Sequence, residues 1–73
     1  MNIGLIGCGS IGRFLLEAIN KQEKVSGARI TEVLDERRDK WAVVADFAKR
    51  YDAVHVADLG AFLAAGIDFV IEA

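Results

Sequence analysis

The sequence contains no proline, and cysteine, histidine, methionine, tryptophan and tyrosine occur once each in its 73 residues. A single cysteine closes no intrachain disulfide, which excludes a small cross-linked secreted framework. No Ser-His-Asp set, paired-carboxylate arrangement or His/Cys/Asp/Glu cluster with metal-site spacing is present. No apolar run reaches the length of about 18 residues that marks a membrane span. Lys and Arg number 9 against 11 Asp and Glu, a formal net charge of −2. That near balance lacks the basic stripe expected of a nucleic-acid surface. Without proline, turns must be read from glycine and polar clusters alone.

What remains is an apolar-rich chain, 53% hydrophobic with a mean hydropathy of +0.29. Four short apolar runs alternate with three helix-like stretches. The runs at 2–6, 28–34, 53–56 and 68–72 read as strands. The stretches at 11–22, 38–51 and 59–65 read as helices. In the first helix Ile11, Phe14, Leu15, Ala18 and Ile19 recur at helical spacing and predict a buried stripe. In the second, Trp41, Val44, Ala45, Ala48 and Tyr51 do the same. Asp58 is a candidate cap for the third helix and Gly66 its stop. Strands alternating with helices imply right-handed crossovers and a parallel sheet, hence an α/β fold.

Directly behind the first apolar run stands Gly7-Cys8-Gly9-Ser10-Ile11-Gly12. Glycines at this spacing, between a strand and a helix, let the chain turn sharply and bring backbone close to a pyrophosphate. They also let the helix pack on the strand it came from. An acid about 20 residues further on completes the pattern; here it is Asp35, at the end of the second strand. The combination predicts a dinucleotide-binding, Rossmann-type sheet, its first half in the order 3-2-1-4. The cofactor is expected across the carboxyl ends of strands 1 and 4, with Gly7 to Gly12, Asp35 and Glu72-Ala73 along one edge.

The candidate cofactor-binding residues follow from that placement. Gly7, Gly9 and Gly12 would hold the pyrophosphate, with a hydroxyl hydrogen bond available from Ser10. Asp35 would accept hydrogen bonds from the adenosine ribose and repel a 2′-phosphate, favouring NAD. Arg37 and Arg38 offer guanidinium groups for adenine or a 2′-phosphate, which keeps NADP open. Cys8 fills a slot tolerant of many side chains and has no basic neighbour in sequence, so no redox role is assigned to it. His55 reads as structural or surface, far from the cofactor edge, and Trp41 and Tyr51 as core or sheet-covering residues. Glu72 either faces the nicotinamide half or is oriented by a following loop.

Residues 1–73 are expected to form the amino-terminal NAD(P)-binding part of a larger enzyme, because a chain this short and apolar leaves surface for further elements or a partner to cover. With Met1 one residue before the first strand, no room is expected for a targeting segment, and a soluble cytoplasmic protein is anticipated.

At Gly7-Cys8-Gly9-Ser10-Ile11-Gly12-Arg13 and Asp68-Phe69-Val70-Ile71-Glu72-Ala73 the chain resembles the amino-terminal domain of L-aspartate dehydrogenases. Homoserine dehydrogenases and dihydrodipicolinate reductases share the plan, but the Val-Ile-Glu-Ala ending resembles the aspartate dehydrogenase form. The resemblance implies hydride transfer between aspartate/iminoaspartate and NAD or NADP. It also implies Gly7, Gly9, Ser10, Ile11 and Gly12 at the pyrophosphate, Asp35 at the ribose, Ala73 near the nicotinamide ribose, and a catalytic histidine in a later domain that His55 does not match; a homo-oligomeric parent is expected. These residues alone would then bind cofactor and catalyse nothing. Two alternatives remain. One is another two-domain NAD(P) oxidoreductase acting on homoserine, dihydrodipicolinate or a sugar. The other is a non-catalytic nucleotide-sensing module.

Overall fold

Four parallel strands, β1 (Asn2–Ile6), β2 (Arg29–Leu34), β3 (Val54–His55) and β4 (Phe69–Glu72), form one sheet in the order β3-β2-β1-β4. This is the predicted order, seen in a computed structural model that describes all 73 residues. Helix α1 (Ser10–Leu16) follows β1, α2 (Trp41–Arg50) follows β2 and α3 (Leu59–Leu63) follows β3. No helix is long and apolar enough to cross a membrane.

The core lies between the sheet and the α1–α2 layer. Ile3 and Leu5 of β1 and Ile30 and Val33 of β2 meet Leu16 of α1 and Val44 and Ala48 of α2, all buried. Phe62 of α3, fully buried, packs on the opposite face against Gly4. A side chain on Gly4 would strike the Phe62 ring and Ile67. The glycine inside β1 is thus the space into which α3 seats its one buried aromatic. Asp58 caps α3 as expected, its carboxylate accepting from the Ala61 N–H at 2.8 Å, and Gly66 has the positive φ of a chain reversal, +75°.

The buried stripe of α1 differs from the predicted one. Ile11 and Phe14 are 66% and 67% exposed, and the sheet-facing positions are Gly12, Leu16 and Ile19. The cause is local. Gly12 presses against the Gly7 carbonyl with no Cβ between them, which turns the 12–16–19 line toward the sheet and rotates Ile11 and Phe14 away. The helix also changes pitch: Glu17–Lys21 form a π-turn, with the Gln22 N–H donating to the Glu17 carbonyl at 2.9 Å. This wider turn places Asn20 beside β2. There its amide donates to the Ile30 and Tyr51 carbonyls and accepts from the Ile30 N–H, at 2.8–2.9 Å.

The second helical stretch also begins differently from expectation. Arg38–Lys40 make a 3-10 turn, and regular α-helix starts at Trp41. Its predicted inner face holds, with Val44 and Ala48 buried and Trp41, Ala45 and Tyr51 half-buried.

Candidate nucleotide-binding site

The site is built where β1, β2 and β4 end. After Ile6 the chain reverses at Gly7, whose φ of +93° is open to glycine and strained for other residues. The Gly7 N–H donates to the Leu34 carbonyl at 2.7 Å, and the Ala73 N–H to the Ile6 carbonyl at 2.9 Å. A side chain on Gly7 would run into the Ala73 carbonyl oxygen. The turn is therefore clamped between the ends of β2 and β4. Gly9 precedes α1 and starts it, its carbonyl accepting from the Arg13 N–H at 2.9 Å.

A groove of about 410 Å³ opens over these strand ends. It is lined by Ile6, Gly7, Gly9, Asp35, Glu36, Arg37, Glu72 and Ala73. Of the predicted residues, the fold brings Gly7, Gly9, Asp35, Arg37 and Ala73 together here. Ser10 lies just outside, on the α1 side. Ile11 and Gly12 belong to the first turn of α1: Ile11 turns its side chain to solvent, and Gly12 is buried against Gly7.

Asp35 does not stand free in the groove. It is 2% exposed, and both carboxylate oxygens are engaged. Oδ1 accepts from the Arg37 backbone N–H at 3.0 Å and Nε at 2.9 Å; Oδ2 accepts from Arg37 Nη2 at 2.7 Å and from the Cys8 N–H at 2.9 Å. These bonds, above all those from the Arg37 side chain, outweigh burial and hold the carboxyl well below the usual carboxylate range. Arg37 covers the acid while keeping 48% of its own side chain exposed. The expected ribose acceptor is thus a carboxylate with four donors already on it. The reason is that the chain turns back immediately after Asp35 and lays Arg37 over it.

Two further hollows adjoin the groove. One, also of about 410 Å³, has apolar walls from Ile6, Leu34, Trp41, Ala57 and Leu59, with Arg38 and Asp58 at its rim. The Trp41 indole N–H donates to the Asp35 carbonyl. Its ring lies 5.5 Å from the Arg38 guanidinium and 5.5 Å from the His55 ring. The sequence suggested Trp41 only as a core or covering residue; it also walls the site. His55 stands nearer this edge than expected, half-buried behind Trp41. The other hollow, on the α1–α2 side, is lined by Cys8, Gly9, Ser10, Arg13, Arg37, Lys40, Val43 and Val44. Arg13 and Lys40 escaped the sequence reading. The available signal was the i, i+3 spacing of Arg37 and Lys40 across the turn before α2. Cys8 is 2% exposed, and burial pushes its thiol pKa up, consistent with a packing role.

No family model and no curated protein matches the chain. Among solved structures, it is similar to a protein from Sinorhizobium meliloti 1021 assigned as a myo-inositol dehydrogenase. The identity is 26% and the TM-score 0.76 over 100% of this chain and 20% of that one. It is also similar to a 3-ketoreductase from Actinomadura kijaniata, solved with TDP-benzene and NADP, at 24% identity and a TM-score of 0.69. That likeness covers 96% of this chain and 20% of the other. The chain thus spans a fifth of the length of either structure. Strand order, glycine turn and these likenesses define a Rossmann-type α/β unit of the kind found in oxidoreductases. Within that class the unit is the four-strand β3-β2-β1-β4 half.

Proposed function

We propose that residues 1–73 bind NAD or NADP and form the cofactor-binding part of an oxidoreductase that transfers hydride. The observation that carries the reading is a contrast among the three motif glycines. Gly7 and Gly12 each have a backbone carbonyl where a side chain would go, so the fold itself requires them. A side chain on Gly9 would meet nothing within 4 Å. Gly9 also has a negative φ, −85°, in extended backbone with ψ −153°. Neither a neighbouring atom nor a left-handed φ calls for glycine at this position, whereas a pyrophosphate lying against the turn does. In this reading Gly7, Gly9, Ser10, Ile11 and Gly12 present backbone to the pyrophosphate, the nicotinamide ribose lies by Ala73, and the adenosine ribose lies by Asp35 and Arg37. The bound cofactor supplies the hydride-accepting ring. The chain's own part is to hold and orient it.

The lone tryptophan, Trp41, walls the site and gives a direct readout. Titration with NAD and NADP is expected to change its fluorescence saturably. No change and no calorimetric heat with either, up to about millimolar concentration, the weak end of ordinary cofactor affinity, overturns the reading.

For the whole protein we read an NAD(P)-dependent dehydrogenase with a substrate domain outside these residues, consistent with the fifth of each solved structure that the chain spans. The Val70-Ile71-Glu72-Ala73 ending supports aspartate/iminoaspartate as the substrate pair. The likeness to an inositol dehydrogenase supports a second reading, a sugar or polyol substrate. Assaying reduction of oxaloacetate plus ammonium beside oxidation of myo-inositol, each with both cofactors, separates the two.

A further inference from the structure

Arg37 stands between two spaces. On one side is the groove over the strand ends, and on the other the hollow between the starts of α1 and α2; Gly9 borders both. That hollow, about 410 Å³ in volume, is lined by three cations, Arg13, Arg37 and Lys40, and by no carboxylate. Neither Arg13 nor Lys40 has an acidic partner within salt-bridge distance; Arg13 instead lies over the Phe47 ring, 5.0 Å from its centroid. Arg37 spends Nε and Nη2 on Asp35, while Nη1 makes no hydrogen bond within the chain. Ser10 adds a hydroxyl to the same wall.

Three acids bear on this arrangement; Asp39 acts on Arg37 through its charge but lines neither space. Asp35 carries a full negative charge, but it is buried and matched by Arg37 itself. Glu36 lines the groove and does not line the cationic hollow. The hollow is thus a positively charged recess with a fixed guanidinium at its mouth. Beside it, the dinucleotide reading places the adenosine ribose.

We infer that this recess takes the 2′-phosphate of the adenosine ribose, so that the chain selects NADP over NAD, with Arg37 as the positioned contact and Arg13 and Lys40 completing the charge. The inference rests on the dinucleotide reading above. It reverses the preference expected from an acid after β2, because that acid is used to hold the arginine and not to meet the ribose. A guanidinium fixed by a buried carboxylate loses little freedom on meeting a phosphate, and its remaining N–H groups suit phosphate oxygens.

The test is calorimetric titration of the protein with NADP, NAD, 2′,5′-ADP and 5′-AMP at two salt concentrations. NADP is expected to bind at least about tenfold more tightly than NAD, and 2′,5′-ADP more tightly than 5′-AMP, with the NADP advantage shrinking at high salt. Arg13→Gln and Lys40→Gln alter exposed side chains, and a thermal melt of each confirms that it folds. Each should reduce the NADP advantage several-fold with NAD affinity unchanged. Equal binding of the two cofactors, or tighter binding of NAD, overturns the inference and leaves the dinucleotide reading standing. An NADP preference that both variants retain places the phosphate elsewhere and overturns the inference as well. Failure of all four ligands to bind removes both.

Discussion

The carboxylate of Asp35 reaches from the end of β2 to the backbone N–H of Cys8, 2.9 Å away inside the glycine turn. One buried acid therefore ties the turn after β1 to the strand beside it, and the same acid holds Arg37 in place.

That linkage makes stability depend on acid. The folded-state pKa of Asp35 lies below its unfolded value of about 3.9. Its contribution is present in full above that unfolded value. It is lost as pH falls below about 4 toward the folded pKa, because the unfolded chain takes up the proton first. Asp35→Asn should lower the urea midpoint at pH 7, and the gap from the parent protein should narrow at pH 3. A gap of the same size at both pH values would show that the charge of Asp35 contributes nothing.

Gly9 and Gly12 should separate binding from folding. Gly9→Ala places a methyl in open space, so thermal unfolding should shift by no more than a degree or two while dinucleotide affinity falls at least about tenfold. Gly12→Ala drives a methyl into the Gly7 carbonyl and should cost about 1–3 kcal/mol of stability. Unfolding curves and titrations on the two variants check both halves.

Gly4 and Phe62 form a complementary pair on the α3 face. Gly4→Val should destabilise by at least about 1–3 kcal/mol through overpacking. Phe62→Ala should cost about 3–5 kcal/mol through the cavity it leaves. If denaturant unfolding shows either change to be neutral, α3 does not seat as described.

Cys8 should be protected in the native protein. With its thiol buried and its pKa raised, labelling by a disulfide reagent at pH 8 should run on the order of 100-fold slower than in urea. Native and denatured rates that match would place the thiol at the surface.

β4 pairs only with β1, and Phe69 and Val70 of β4, like Ile11 and Phe14 of α1, stay exposed. Such an edge and such surface favour pairing with another copy. Sedimentation at micromolar concentration should show self-association, weakened by Phe14→Glu or Val70→Lys. A strictly monomeric species with a cooperative melt would show that the surface is tolerated bare.

Strand order and the place of the groove were legible because both follow from simple periodicities: apolar runs alternating with helical stripes, and glycines at a fixed offset behind the first strand. The rotation of α1 was not, since Ile11 and Phe14 fit the same helical period as Gly12, Leu16 and Ile19. Only the contact between Gly12 and the Gly7 carbonyl decides between the two faces. The π-turn depends on Asn20 finding the backbone of Ile30, a partner that sequence spacing does not reveal. The hydrogen bonds on Asp35 were hidden for a similar reason. The acid was in the expected position, but its orientation depends on how the next two residues turn.

The clamp on Gly7 also bears on the order of events as the protein is made. The turn at residues 7–12 emerges early, yet the carbonyl that abuts Gly7 belongs to Ala73. The Asp68 carboxylate that accepts from the Asn2 N–H is 66 positions away along the chain. Closing so long a loop is entropically costly and slow relative to forming the helices. A nascent chain that lacks β4 therefore carries the whole glycine motif without its finished shape. Competence to bind thus waits until β4 docks beside β1, and a ligand present at that moment captures only chains in which this pairing has formed.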